Sequence, residues 1–241
     1  MKKIISTTLL LLTFILINVT TSLAGTKHTV TSDANDGPGS LRELVSAFPI
    51  VAKGGDTIVF APHITKIYLN SHITFWHFDA PLYIDGGGIT ISGVPNANNV
   101  YPRLFEVYGG FMEPNVYVRH LYISNITFEN GRPALTSGFN GFMHATNCVF
   151  RDNIGAVTTS NGDFVAHNCT FYNNVTQTNG GAIAVNSIGF LAITNCTFYN
   201  NEAPLESYMQ GGGGGGGNPN LVRRGYGGAI YVNWYAGTGA S

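Results

Sequence analysis

Apolar residues in the middle of this chain alternate, flip parity and alternate again, and they do so four times. The four lines, 121–130, 143–153, 164–174 and 191–201, align on Asn125, Asn147, Asn168 and Asn195, at steps of 22, 21 and 27 residues. Four and two residues before each anchor stand Leu121 and Ile123, Met143 and Ala145, Phe164 and Ala166, Leu191 and Ile193. One and three residues after it stand Ile126 and Phe128, Cys148 and Phe150, Cys169 and Phe171, Cys196 and Phe198. Period-two alternation predicts half-buried strands. The parity change predicts a bend at the anchor. Asn suits that bend because it tolerates the left-handed region and its amide bonds nearby backbone.

A second polar column follows each line. Asn130, Asp152, Asn173 and Asn200 align five residues after the anchor, and Asn153, Asn174 and Asn201 align at the next place. Identical amides stacked at a turn can hydrogen-bond along the stack. Gly180-Gly-Ala-Ile-Ala-Val185 and Gly227-Gly-Ala-Ile-Tyr-Val232 predict a third strand entered through a glycine turn. Three short strands per coil of 20 to 30 residues make a parallel β-helix. A leucine-rich repeat fails, for want of its Leu-x-x-Leu-x-Leu frame and of any helical stretch between the strands.

Upstream, further apolar pairs continue the coils: Ile58 and Phe60, Ile67 and Leu69, Ile73 and Phe75, Leu82 and Ile84, Ile89 and Ile91, Phe105 and Val107. About six coils to residue 232 give a stack of about 29 Å. Before them, Ser40 and Glu43 form a capping box, and Leu41, Leu44, Val45 and Phe48 fall on one helical face, stopped by Pro49. This predicts a short helix closing the open end of the core. The expected organisation is a signal peptide over 1–24, an N-terminal strand and helix cap over 25–57, and the solenoid over 58–241. A glycine-rich excursion over 205–225 contains seven consecutive glycines and lacks the context of a phosphate-binding loop.

The pairing of Gly-Gly-Ala-Ile with Phe-Tyr-Asn-Asn over 121–232 resembles the polymorphic outer-membrane-protein repeats of chlamydiae. Similar repeats occur in bacterial secreted proteins described as right-handed parallel β-helices. Asp36-Gly-Pro-Gly-Ser-Leu-Arg-Glu-Leu44 and Gly55-Asp-Thr-Ile-Val-Phe60 resemble the N-terminal cap of such proteins. The resemblance implies an adhesin, an autotransporter passenger or a surface protein. Some β-helices are instead polysaccharide lyases and hydrolases.

The start of the chain points to export. Lys2 and Lys3 precede an apolar stretch over 4–19, and Ser22-Leu23-Ala24 offers a small-x-small cleavage site, leaving Gly25 first. Extracellular or outer-membrane and cell-surface localisation follows as the expectation. Only 10% of residues are charged and the net charge is −1, so nucleic acid is not an expected partner. Past the leader no apolar run suggests a membrane span. The chain stops soon after Ile230 and Val232 with no capping element, which raises the expectation of a truncated solenoid that self-associates through its C-terminal end.

Candidate chemistry is sparse. Between 114 and 201 the acids are Glu129, Asp152 and Asp163. Glu129 aligns with Arg151 one coil later as a surface pair of little worth, Asp152 sits in the turn column, and Asp163 lies in an Asn-Gly-Asp turn. These do not make the paired carboxylates that polysaccharide hydrolysis needs. Asp33 and Asp36 lack the frame of a calcium loop. The three cysteines share one inward repeat position. They are read as a ladder of free thiols, with a Cys148–Cys169 or Cys169–Cys196 bond as the alternative. His144 and His167 face outward near Tyr122 as a surface pair. The sequons at Asn125, Asn168, Asn174 and Asn195 read as by-products of the repeat. No catalytic residue, cofactor or metal ligand is assigned. The expected function is a non-catalytic exported β-helix meeting host or environmental glycans or proteins. The alternative is a polysaccharide-active enzyme or glycan-binding protein on the same fold.

Overall fold

The structure is a computed structural model, and it describes residues 25–46, 50–75, 80–112, 115–117, 119–176, 179–186, 189–203 and 228–233. Side chains are described for these residues except 110–117 and 233. The leader over 1–24, Phe48 and Pro49, the glycine-rich segment over 205–225 and the last eight residues lie outside them.

The chain winds into a right-handed parallel β-helix with three walls. Wall one runs β1 (Lys27–Val30), β2 (Thr57–Phe60), β5 (Leu82–Asp85), β10 (Arg119–Ser124), β13 (Gly141–Thr146), β16 (Asp163–His167) and β19 (Leu191–Thr194). Wall two runs β3 (Lys66–Leu69), β6 (Thr90–Gly93), β11 (Thr127–Glu129), β14 (Val149–Arg151), β17 (Thr170–Tyr172) and β20 (Thr197–Tyr199). Wall three runs β4 (Ile73–Phe75), β7 (Phe105–Val107), β12 (Leu135–Ser137), β15 (Val157–Ser160), β18 (Ile183–Asn186) and β21 (Ile230–Asn233). Among the described residues this makes six coils of three strands, as the repeat predicted. A hairpin of β8 (Gly110–Met112) and β9 (Asn115–Tyr117) interrupts the path from β7 to β10.

The registers show why this sequence chooses this fold. Leu121 pairs with Leu82 and Met143, and Phe128 pairs with Ile91 and Phe150. Like therefore stacks on like, and a slip of one residue would turn every inward side chain outward. The corner asparagines take the left-handed conformation that the parity flip requires. Asn125, Asn147, Asn168 and Asn195, and then Asn130, Asp152, Asn173 and Asn200, all have φ between 51° and 57°. Inside, Phe128, Phe150, Phe171 and Phe198 form a stack with centroids 5.3, 4.7 and 4.7 Å apart.

The next column is an amide ladder, and it is buried. Asn174 Nδ2 donates to Phe150 O at 2.9 Å and to Asn201 Oδ1 at 2.8 Å, while its Oδ1 accepts from Asn153 Nδ2 at 2.9 Å. Asn174 has no solvent exposure, so its sequon serves the ladder and offers no site for a glycan. Buried amides satisfied in this way fix the coil spacing, because a displaced coil would leave each one unpaired.

Helix α1 (Leu41–Ser46) buries Leu41, Leu44 and Val45 and packs against β4 and β1. The capping box is offset by one residue. Ser40 Oγ accepts from Glu43 N at 3.2 Å, but Glu43 Oε2 accepts from Gly39 N rather than Ser40 N. The Ser40 N–H is taken by Gly37 O, which leaves the Gly39 N–H for the carboxylate. Arg42 ties the cap to the first coil through the carbonyls of Ser71 and His72.

Candidate functional site: the outer face of wall one

Outward positions of wall one form three columns in register. Tyr83, Tyr122, His144, Val165 and Ala192 make the middle column. His120, Phe142 and Asp163 lie to one side, and Asp85, Ser124, Thr146, His167 and Thr194 to the other. The rings gather at one level. Tyr122 stacks on His144 with centroids 4.1 Å apart and planes 8° off parallel, and Tyr83 stacks on Tyr122 at 5.0 Å. Phe142 lies 4.4 Å from His144 and 4.8 Å from His120, and the two imidazoles are 6.1 Å apart. Parallel rings satisfied by one another turn their edges, not their faces, to the surroundings.

Sequence reasoning placed His144 beside Tyr122 but missed His120, Phe142 and Tyr83. It began the strand at Leu121, whereas β10 begins at Arg119, which brings a further outward position into the wall. His167 is a neighbour of Thr146 in register and belongs to the other column. Burial, and then the charge of His120, lower the His144 pKa from the ordinary imidazole value to about 4. His144 is therefore neutral at physiological pH. Its buried Nε2, like the buried Nδ1 of His120, has no protein hydrogen-bond partner.

Of the acids read from the sequence, Asp152 stands in the turn column as expected and Glu129 departs from expectation. Glu129 is not half of an exposed pair: it is 6% exposed and meets both Lys66 Nζ and Arg151 Nη2 at 2.5 Å. The sequence showed Arg151 one coil above but hid Lys66, two coils below across wall two. Burial pushes the Glu129 pKa up. The Lys66 hydrogen bond and then the charges of Arg151 and Lys66 outweigh that and hold it below the ordinary range. Glu106, also buried, meets Arg103 at 2.8 Å and lies 3.6 Å from His72. Asp85 is held low first by a hydrogen bond from Asn125. Burial pushes the Asp56 pKa up, but the Lys53 N–H, the His28 ring and the Thr26 N–H together outweigh it and hold the carboxyl below its ordinary range. Asp163 accepts from Phe190 N at 2.7 Å, so it holds the start of the next coil. A general acid for glycoside cleavage needs a carboxyl with a raised pKa, and Glu129, Asp85 and Asp56 are all shifted the other way.

Cys148 and Cys169 are buried, Cys196 is partly exposed, and all three are free thiols. Cys169 is pushed up, first by its hydrogen bond with Cys148 and then by burial. Among the described residues no group of three or more His, Cys, Asp or Glu is placed to share a metal ion, and no helix is long and apolar enough to cross a membrane. No protein-family model matches the chain, and neither a curated protein nor a solved structure matches it.

Proposed function

We propose that this chain is an exported bacterial surface or secreted β-helix that works without catalysis, as an adhesin, an autotransporter-like passenger or a scaffold. The leader-like segment over 1–24 supports export, with cleavage after Ala24. The observation that carries the non-catalytic reading is the state of the acids. Glu129 and Glu106 are locked in ion pairs, and Asp56, Asp85 and Asp163 hold backbone or side-chain donors. Such carboxylates serve the walls and are poorly placed to exchange protons with a substrate. The resemblance to chlamydial outer-membrane-protein repeats supports a cell-surface location and rests on the quoted motifs alone.

A second reading, glycan binding on the same fold, draws on the exposed rings of Tyr68, Tyr83 and Tyr199. One experiment separates the readings. The purified chain is incubated with neutral and uronate-containing polysaccharides, then assayed for new reducing ends, for unsaturated products and for retardation in polysaccharide-containing gels. The proposal expects no cleavage. Retardation without cleavage adds the glycan-binding reading, and turnover abolished by Glu129→Gln or Glu106→Gln overturns the non-catalytic one.

A further inference from the structure

We propose that removal of the leader closes a lock at the foot of wall one: the α-ammonium group created on Gly25 pairs with the carboxylate of Asp56. The inference rests on the export reading, which supplies the cut after Ala24. Hydrolysis of the Ala24–Gly25 peptide bond puts the hydroxyl of water on the Ala24 carbonyl carbon and its proton on the Gly25 nitrogen. At neutral pH the new acid passes its proton to the new amine. A neutral amide at Gly25 thereby becomes a cation.

Asp56 is placed to receive that cation. It is 8% exposed, and its carboxylate already organises the chain around it. Oδ2 accepts from Lys53 N at 2.9 Å and lies 2.8 Å from His28 Nε2, while Oδ1 accepts from Thr26 N at 2.7 Å. A carboxylate oxygen can accept two hydrogen bonds. Among the described residues Oδ1 has this one partner, and the partner is the neighbour of Gly25. Successive backbone nitrogens lie at most about 3.7 Å apart, so the Gly25 nitrogen falls within about 6.5 Å of Oδ1. An opposite charge at such a distance favours the ionised form of both groups.

The backbone that carries this nitrogen is held in place. Thr26 O accepts from Thr57 N at 2.9 Å, just before β1 and β2 pair. Gly25 passes so close to the Gly55 carbonyl that a Cβ would collide with it. Glycine alone fits there, and its conformational freedom lets a released terminus turn toward Oδ1. Asp56 O in turn accepts from Tyr83 N at 3.0 Å, so the pair ties the first residue of the processed chain to the coil above. The other titratable groups on the surrounding elements are Lys27 and His28 on β1, Lys53 in the preceding loop, and Tyr83 and Asp85 on β5. With the leader attached, Asp56 faces an uncharged amide instead, so processing stabilises the start of the solenoid.

The test compares the chain that begins at Gly25 with the same chain carrying an acetyl group on the Gly25 nitrogen. Both are made from the full-length protein cut before Gly25 by a site-specific protease. Failure of export in a host then bears on the proposed function alone, and failure of this comparison on the inference alone. The α-amine, followed through the Gly25 resonances against pH, is expected to titrate at least about half a unit above its ordinary range of about 7.7–8.0. The free form is expected to melt about 2–4 °C above the acetylated one at pH 6.5. A raised folded-state pKa gives stability that is complete below the unfolded value and lost as pH rises through the folded one, so the gap closes by about pH 10. Lys27, His28, Lys53, Tyr83 and Asp85 are common to both forms and cancel. Asp56→Asn is expected to return the α-amine to its ordinary range. Gly25 is exposed, so about 1 M salt is expected to narrow the melting gap in the unmutated protein, a reading that does not depend on how the variant folds. An α-amine in its ordinary range, or equal melting of the free and acetylated forms, overturns the proposal.

Discussion

Replacing Asn174 with alanine tests the amide ladder at its centre. In the native protein the side chain makes two donations, to Phe150 O and Asn201 Oδ1, and accepts from both Asn153 N and Asn153 Nδ2. Alanine removes all four contacts in a place with no solvent exposure. Asn153 Nδ2 keeps Phe128 O, and Asn201 Oδ1 keeps Asn174 N, so those two groups retain a partner. Asn153 N and Phe150 O each lose a side-chain partner that water cannot readily replace. At about 1–3 kcal/mol for each such group, with a smaller loss for the other two, the expected cost is about 3–5 kcal/mol. The control is Asn173→Gly, one residue earlier. Its amide meets only Asp152 Oδ1 at 3.3 Å, and glycine accepts its φ of 54°. That change is expected to cost less than about 1 kcal/mol. Denaturant melts followed by circular dichroism measure both, read as midpoint shifts at constant slope. A loss below about 1 kcal/mol for Asn174→Ala, or equal losses for the two variants, would refute a stability-bearing ladder.

Phe171→Ala, in the middle of the internal stack, is expected to cost about 3–5 kcal/mol in the same assay; a loss below about 1 kcal/mol would place the ring outside the core. Thiol titration under denaturing, non-reducing conditions is expected to find three reactive groups, one for each free cysteine, whereas a single thiol would mean that two coils are cross-linked. Because the folded-state pKa of His144 lies near 4, below the ordinary imidazole value, the unfolded chain takes up this proton first as pH falls from about 6.5. Stability is therefore lost across that window. Discounted for the part of the ring open to solvent, the loss is on the order of 1 kcal/mol. Melting temperatures of the native chain and His144→Phe between pH 7 and pH 4 should diverge, and parallel curves would contradict the assigned burial.

The architecture was legible because each wall repeats its own local rule. Alternation gave the strands, and the parity flip at Asn125, Asn147, Asn168 and Asn195 gave the corner that the positive φ values bear out. The inward pairs from Ile58 to Val107 gave the early coils, although no asparagine anchor marks them. The outward faces were harder to read. Lys66 reaches Glu129 across 63 residues of chain, and the distance along the sequence carries no sign of it. Nothing in a polar alternate position distinguishes a solvated side chain from one packed on its neighbour in the next coil. Tyr122 and His144 align from the repeat, but Tyr83 looks like a scattered surface residue until the register of β5 with β10 brings it into their column. The inserted hairpin between β7 and β10 makes that step longer than the later ones, which hid Tyr83, while starting the strand at Leu121 instead of Arg119 hid His120.

Intact-mass measurement tests the proposed export of this β-helix. The full chain, with its own first 24 residues, is produced in a Gram-negative host. Cytoplasmic, periplasmic, outer-membrane and medium fractions are then weighed by mass spectrometry. The expected product lies outside the cytoplasm and begins at Gly25. A chain that keeps Met1 and stays in the cytoplasm would contradict it.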